Sequence, residues 1–472
     1  VLSGRGASRR AFAGLCVVGF GASIAPLDFA VNIAFPAITG AFALETPAIR
    51  WVAICYVLTY ASLMLAFGRL GDVIGYRRVF RAGLVVGAAA FLGCALAPGY
   101  GWLLAARVLQ GVATALVLSC APALATSLYD ETRRTWALGA YAASAAAAGV
   151  VAPVVGGLSV AALGWAGVFW FRVPVALGAL LLLPLLSVQA APQAGGAASP
   201  PRTLDRAGTA LLAAGLALAL CGPAIAQSVS ALWQAGAVTL AGAALLVVFA
   251  RRQRHAAVPM LPGAVARDAD FWLIHLASTM VHVTTFAIPL VVPYYLMRAA
   301  GWGPVASGLM MSVWAAGALA GSALAARAVA GLGARRAAFL SALLAAAGLS
   351  AVTQWPAMPA VGLMTASFIL QGIGVGVFQV AYADIVVAAL PREDRGVAGS
   401  LTMLTRTVGI VLGAVWITAL LNAAEARALH TGMVPGQAFL SAFHLTFAIA
   451  AALAAGVFGL SLLRRGLWST RP

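Results

Sequence analysis

Long apolar runs alternate with short polar connectors along this chain, and the length of the runs is what first constrains its structure. A helix rising about 1.5 Å per residue needs about 20 apolar residues to cross a hydrocarbon core. On that rule the pattern predicts helical spans near 11–38, 48–70, 78–97, 100–127, 135–160 and 166–189. A pair follows at 207–226 and 232–250, and then 271–296, 304–330, 335–353, 358–390, 396–421 and 438–463, fourteen spans in all. QAAPQAGGAASPPRTLD, residues 189–205, has the Pro, Gly, Ser and Ala content of a solvated connector. The basic stretch RRQRHAAVPMLPGAVARDAD, from Arg251, separates the inserted pair from the last six spans. The expected organisation is therefore all-α and polytopic. Residues 1–189 form one six-helix bundle, 190–270 the linker, two inserted helices and a basic loop, and 271–472 a second six-helix bundle.

Composition agrees, with 63% hydrophobic and 9% charged residues against about 25% charge in ordinary soluble domains. The formal charge is +17, and all 29 basic residues are arginine. Nucleic-acid binding is the usual reading of such a balance, but these arginines sit in short loops between spans. Arg9, Arg10, Arg77, Arg78, Arg133, Arg134, Arg251, Arg252, Arg335 and Arg336 fall on one side. The other side keeps Arg50, Arg298 and Arg427, with Arg172 near its boundary. By the positive-inside rule the richer side is cytoplasmic, and both termini lie there. The first span is too long for a signal-peptide core, so it is expected to remain as a helix. Cys16, Cys55, Cys94, Cys120 and Cys221 lie inside spans without CxxC pairing, so no disulfide, metal or cofactor is expected.

GRLGDVIGYRR, Gly68 to Arg78, lies between the second and third spans. With Gly68, Leu70, Asp72, Gly75, Arg77 and Arg78 it resembles G-x-L-x-D-x-x-G-x-R-R, the signature loop of the major facilitator superfamily. ARAVAGLGARR, Ala326 to Arg336, echoes it with Gly333, Arg335 and Arg336, although Ala330 stands where Asp72 stands. LQG at 109–111 recurs at 370–372 with nearly the same offset. Two echoes at one period predict two related bundles with the seventh and eighth spans inserted between them. Parallel repeats of this kind build rocking-bundle transporters with sites near the midplane.

Charges at membrane depth are costly, so each calls for a reason. Four stand out: Asp28, Arg107, Asp384 and Arg406. Counted from their helix ends, Asp28 lies about 12 Å and Arg107 about 10 Å below the same surface. They are either a static ion pair or a proton site. Burial and a neighbouring guanidinium act on a carboxyl's proton affinity in opposite senses, and the pair can hold it near working pH. Asp384 lies about 10 Å from the cytoplasmic face; Arg406 either pairs with it or meets an anionic group of a substrate. His275 and His282 enter the ninth span as relay or packing residues. Trp51, Tyr56, Tyr60, Met310, Met311, Trp314, Phe378 and Tyr382 are candidates for an adaptable apolar pocket.

Further motifs resemble the fourteen-helix drug:proton antiporters. Leu27, Asp28, Asn32, Ala34 and Pro36 are similar to L-D-x-T-x-x-N-x-A-L-P, with the acid and asparagine one residue closer than in that pattern. Arg107 and Gly111 match the R-x-x-x-G of the fourth helix. Pro153, Gly156 and Gly157 match the end of G-x-x-x-G-P-x-x-G-G on the fifth, while Ala148 and Ala152 replace its leading glycines. GWAGVFWFRVP resembles G-W-R-W-x-F-x-x-N-x-P with Arg172 in place of Asn. LTRTVGIVLG resembles an R-x-x-G-x-x-x-G. The resemblance implies a proton-coupled antiporter, not an enzyme, that exports amphipathic drugs or similar small molecules across a bacterial inner membrane by alternating access. Protons are then the coupling ion, membrane lipids the surroundings, nucleic acid is no partner and the unit is a monomer. A dedicated exporter of one metabolite or antibiotic, or a lipid-translocating member of the same fold, is the alternative. In the loop, Gly68 would permit close packing and Asp72 would face the N-terminus of the thirteenth span as a latch.

Overall fold

The structure, a computed structural model, describes residues 4–130, 133–186, 206–225, 232–254, 268–390 and 395–461. The predicted connector 189–205 and most of the basic stretch after Arg254 lie outside them. Helices run α1 (Gly4–Ala22), α2 (Phe29–Ala41), α3 (Arg50–Ile74), α4 (Tyr76–Ala95), α5 (Tyr100–Ser127), α6 (Arg134–Leu163), α7 (Gly167–Trp170) and α8 (Arg172–Leu182). Then come α9 (Arg206–Ile225), α10 (Leu232–Arg254), α11 (Ala269–Thr285), α12 (Ala287–Tyr294), α13 (Pro304–Leu332), α14 (Ala334–Val352), α15 (Val361–Ala389), α16 (Arg395–His430) and α17 (Pro435–Ser461). Among the described residues 13 helical stretches are long and apolar enough to cross a membrane. The predicted seventh span, α9, has the shorter apolar run Ala210–Gly222 and packs along α10.

Counting crossings puts Gly4 and Ser461 on one side, here the proximal side, and the loops at 42–49, 96–99, 164–166, 300–303, 353–360 and 431–434 on the distal side. One apolar cluster at the distal end draws on both bundles, from Ile33, Phe35 and Phe169 to Tyr295, Trp355 and Phe443. Proximally each bundle keeps its own cluster, around Phe80 and Leu124 in one and around Ala342 and Phe378 in the other. The inserted hairpin sits on the seam between them, where Leu220 of α9 packs with Val57 of α3 and Val411 of α16.

The first span is broken where the sequence pattern predicts one helix. Pro26 has no backbone N–H, so the carbonyl of Ala22 loses its donor four residues on. The chain tightens into a 3₁₀ turn, Pro26–Asp28. There the Asp28 N–H bonds the Ala25 carbonyl at 3.0 Å, which removes the α-helical donor of the Ile24 carbonyl.

The internal repeat is visible in the backbone. Gly75 and Gly333, the echoed glycines, both join two helices with φ of +94° and +78°, a conformation close to one reserved for glycine. Close packing in the first loop rests on Gly71, where a Cβ would lie 2.5 Å from the Tyr76 ring. The expected role of Gly68 is not seen: a Cβ there would meet nothing nearer than Ser119 at 4.0 Å.

Candidate functional site

Asp28 ends the 3₁₀ turn and directly precedes α2, so the break carries it into the bundle interior. Arg107 of α5 grips it with both arms, Nη1 donating to Oδ1 at 2.6 Å and Nη2 to Oδ2 at 2.8 Å. This is the bidentate fork of a guanidinium on a carboxylate. Arg107 Nε donates to the Val52 carbonyl of α3 at 2.8 Å, and the guanidinium lies 4.4 Å from the Tyr56 ring centroid. Gly111 makes that approach possible: a Cβ there would sit 2.6 Å from Thr59 and 2.8 Å from the Tyr56 carbonyl. The glycine of R-x-x-x-G thus lets α5 close on α3. Depth arithmetic from the sequence and the geometry agree on this pair.

Two partners were not anticipated. Gln110 Nε2 donates to Asp28 Oδ1 at 2.8 Å, while its Oε1 accepts from Arg107 Nη1 at 2.8 Å. Arg172, at the start of α8, donates from Nη1 to Asp28 Oδ1 at 2.8 Å and from Nη2 to the Ile24 carbonyl at 2.6 Å. That is the carbonyl released by the 3₁₀ turn. Arg172 also lies 4.3 Å from the Phe91 ring centroid, and its Nε is buried without a partner among the described residues. The side chains of Arg107 and Arg172 are 1% and 0% exposed and that of Asp28 15% exposed, so water reaches the acid more readily than its partners. Two guanidiniums on one carboxylate leave the cluster net positive. Tyr56, Tyr60 and Cys94 lie close enough to share its field.

The other candidates separate. Asp384 is exposed on α15 and, among the described residues, forms no ion pair with Arg406. Arg406 is half-buried on α16, within electrostatic reach of Tyr60 and His282. His275 is held by the Phe271 carbonyl at 2.9 Å and packed among Phe271, Trp272 and Tyr382. His282 is held by the Ser278 carbonyl at 2.8 Å. Of the pocket candidates, Phe378 and Tyr382 belong to the core of the second bundle. Met310, Met311 and Trp314 line the distal junction, and Trp51, Tyr56 and Tyr60 the α3–α16 seam.

The fifth-span motif lies on the join between bundles. A Cβ at Gly156 would be 2.9 Å from Ala30, and one at Gly157 would be 2.4 Å from the Pro304 carbonyl oxygen. From the opposite bundle, a Cβ at Gly308 would be 2.2 Å from the Pro153 carbonyl oxygen. Bare backbone therefore faces bare backbone along α6 and α13. The distal closure is completed by Thr39 and Tyr294, whose hydroxyls are 2.6 Å apart, by Arg50 Nη1 donating to Thr418 at 3.2 Å, and by Phe29 edge-on to Trp314. At the proximal end Arg77 Nη2 donates to the Leu183 carbonyl at 3.1 Å, and Arg78 is exposed. Asp72 lies in the last turn of α3; its side chain and residues 391–394 before α16 are outside the described set, and so is the expected latch contact.

Comparison with known proteins places this arrangement. The Major Facilitator Superfamily model matches residues 11–274 and 271–467. The Uncharacterized transporter YebQ of Escherichia coli is 29% identical, over 96% of this chain and 95% of that protein. The Puromycin resistance protein pur8 of Streptomyces alboniger is 31% identical, over 96% of this chain and 90% of its own. A bacterial homolog of the human lysosomal transporter Spinster, solved inward-facing and unoccupied, superposes with a TM-score of 0.70 at 16% identity, over 98% of this chain and 97% of that one.

Proposed function

The chain belongs to the major facilitator superfamily, and on that premise we propose that it exports amphipathic small molecules from a bacterial cytoplasm in exchange for protons. The proximal side is then cytoplasmic, the membrane is the inner one, and the unit is a monomer without enzymatic activity. A relative named for puromycin resistance supports export, and so does the placement of the Pro153–Gly156–Gly157 motif on the join between bundles.

The observation that carries the proton reading is Asp28, an acid at membrane depth with 15% of its side chain exposed. Its proton competes with Arg107 and Arg172 for the carboxylate oxygens. Taking up a proton frees two guanidiniums, and losing it clamps them again. Asp72 and the Gly68–Arg78 loop act as a latch in the state where the proximal ends meet.

The test is gradient-driven uptake into inverted vesicles. One pH unit supplies about 1.4 kcal/mol per proton, and without a titrating site that energy is not harvested. Asp28→Asn keeps the shape of the side chain and one of its two acceptor oxygens, and should lose uphill uptake in protein that still reaches the membrane, with downhill exchange retained. Uphill uptake by Asp28→Asn at the wild-type rate places the proton elsewhere.

A further inference from the structure

The charges at membrane depth are unbalanced. Asp28 has both oxygens occupied, by Arg107, Arg172 and Gln110. Of the other described acids on spans, Asp384 is exposed close to the proximal end of α15, and Glu425, half-buried near the distal end of α16, lies in the field of Arg298. A cationic substrate therefore finds the Asp28 carboxylate already compensated.

Arg406 is in the opposite position. It is half-buried on α16, within electrostatic reach of Tyr60 of α3 and His282 of α11, and among the described residues no carboxylate pairs with it. A guanidinium held within a membrane span without a counter-charge is costly. An anion that arrives and leaves in each cycle relieves that cost in the bound state. The planar fork of arginine suits a carboxylate, sulfonate or phosphate. The apolar seam between α3 and α16, to which Tyr60, Met403 and Val408 belong, suits the body of an amphipathic molecule.

We infer that the compound carried is an amphipathic acid, whose anionic group seats on Arg406 in a site where Arg107, Arg172 and Arg406 outnumber Asp28. This rests on the transport reading above and narrows it to one class of substrate. The net positive cluster at Asp28 adds a favourable field without direct contact, since Arg107 and Arg172 are almost completely enclosed.

Three probes with one fluorophore test it by binding alone: dansylaminoundecanoic acid, its methyl ester and dansylcadaverine. Each is titrated into the purified full chain and read by energy transfer from tryptophan. The acid should bind about tenfold or more tightly than the amine, and Arg406→Gln should lower its affinity by about tenfold or more, to that of the ester. Unchanged ester binding shows that the variant is folded, and Arg406→Lys should keep part of the preference for the acid. Amine binding equal to or tighter than acid binding overturns the inference. So does binding of none of the probes, or acid binding indifferent to Arg406→Gln. Acid binding without gradient-driven uptake would sink the proton-exchange reading and leave the inference standing. Gradient-driven uptake of dansylcadaverine without acid binding would do the reverse.

Discussion

Adding a single methyl group at Gly308 tests how the two bundles are joined. In the present arrangement the Cβ of Gly308→Ala would lie 2.2 Å from the Pro153 carbonyl oxygen and 3.4 Å from the Gly157 Cα. Carbon–oxygen contacts between packed backbones settle at about 3.3–3.6 Å, so α6 and α13 must part by about 1 Å at this point. Neither side can yield locally, because both contacts are helix backbone. Overpacking of this kind costs about 1–3 kcal/mol. The cost falls on the distally closed arrangement, so the balance of states should move away from it by about 5- to 150-fold. Spin labels at Glu45 and Met358, on distal loops of opposite bundles, report the separation once Cys16, Cys55, Cys94, Cys120 and Cys221 are replaced. The expected outcome is a longer and broader distance distribution in Gly308→Ala. A distribution identical to the parent, in protein that unfolds at the same temperature, would refute the reasoning.

Two further substitutions separate the arginines of the buried cluster. Arg107→Gln removes both arms of the fork and should cost about 3–5 kcal/mol in denaturant unfolding, whereas Arg172→Gln leaves the fork intact and should cost about 1.5–3 kcal/mol. Adding Asp28→Asn to Arg107→Gln should not recover the loss, since Arg172, 0% exposed, is then left without a carboxylate; the costs of the two single changes should be non-additive, and strictly additive costs would exclude the pairing. In the loop, Gly75→Ala should cost about 1–3 kcal/mol because of its positive φ, while Gly68→Ala should stay within about 0.5 kcal/mol. Equal effects in the same unfolding assay would show that backbone conformation is not what Gly75 supplies.

The spans were legible because their length in apolar residues is a one-dimensional property. So was the depth of Asp28 and Arg107. Depth alone does not say which way a residue faces, which is why Asp384 and Arg406, on neighbouring predicted spans, were open to pairing and do not pair. Arg172 was hidden for a related reason. Its backbone lies near the distal boundary, but an arginine carries its charge far from its Cα, and the carbonyl that receives it exists only because Pro26 breaks the first span. Hydropathy runs unbroken across that proline, so only the A-P-L-D sequence itself could have flagged the break. The repeat read from LQG has a physical counterpart. Gln371 stands where Gln110 stands and bridges Trp314 and Thr285 through neutral groups alone.

The break at Pro26 has a mechanical consequence. The short piece beyond it, α2, begins at the residue after Asp28 and carries much of the distal closure: Phe29 against Trp314, Ala30 against Gly156 and Thr39 against Tyr294. Its inner end is pinned by the same clasp that holds the carboxylate. On the proton reading, the event that changes the clasp and the surface that must part belong to one short helix of about three and a half turns, with Pro36 inside it. No relay through intervening helices is needed to carry the signal from one to the other. On that reading the acid would be the pivot of the gate itself, and the stiffness of the joint at Pro26 would set how far one proton moves it.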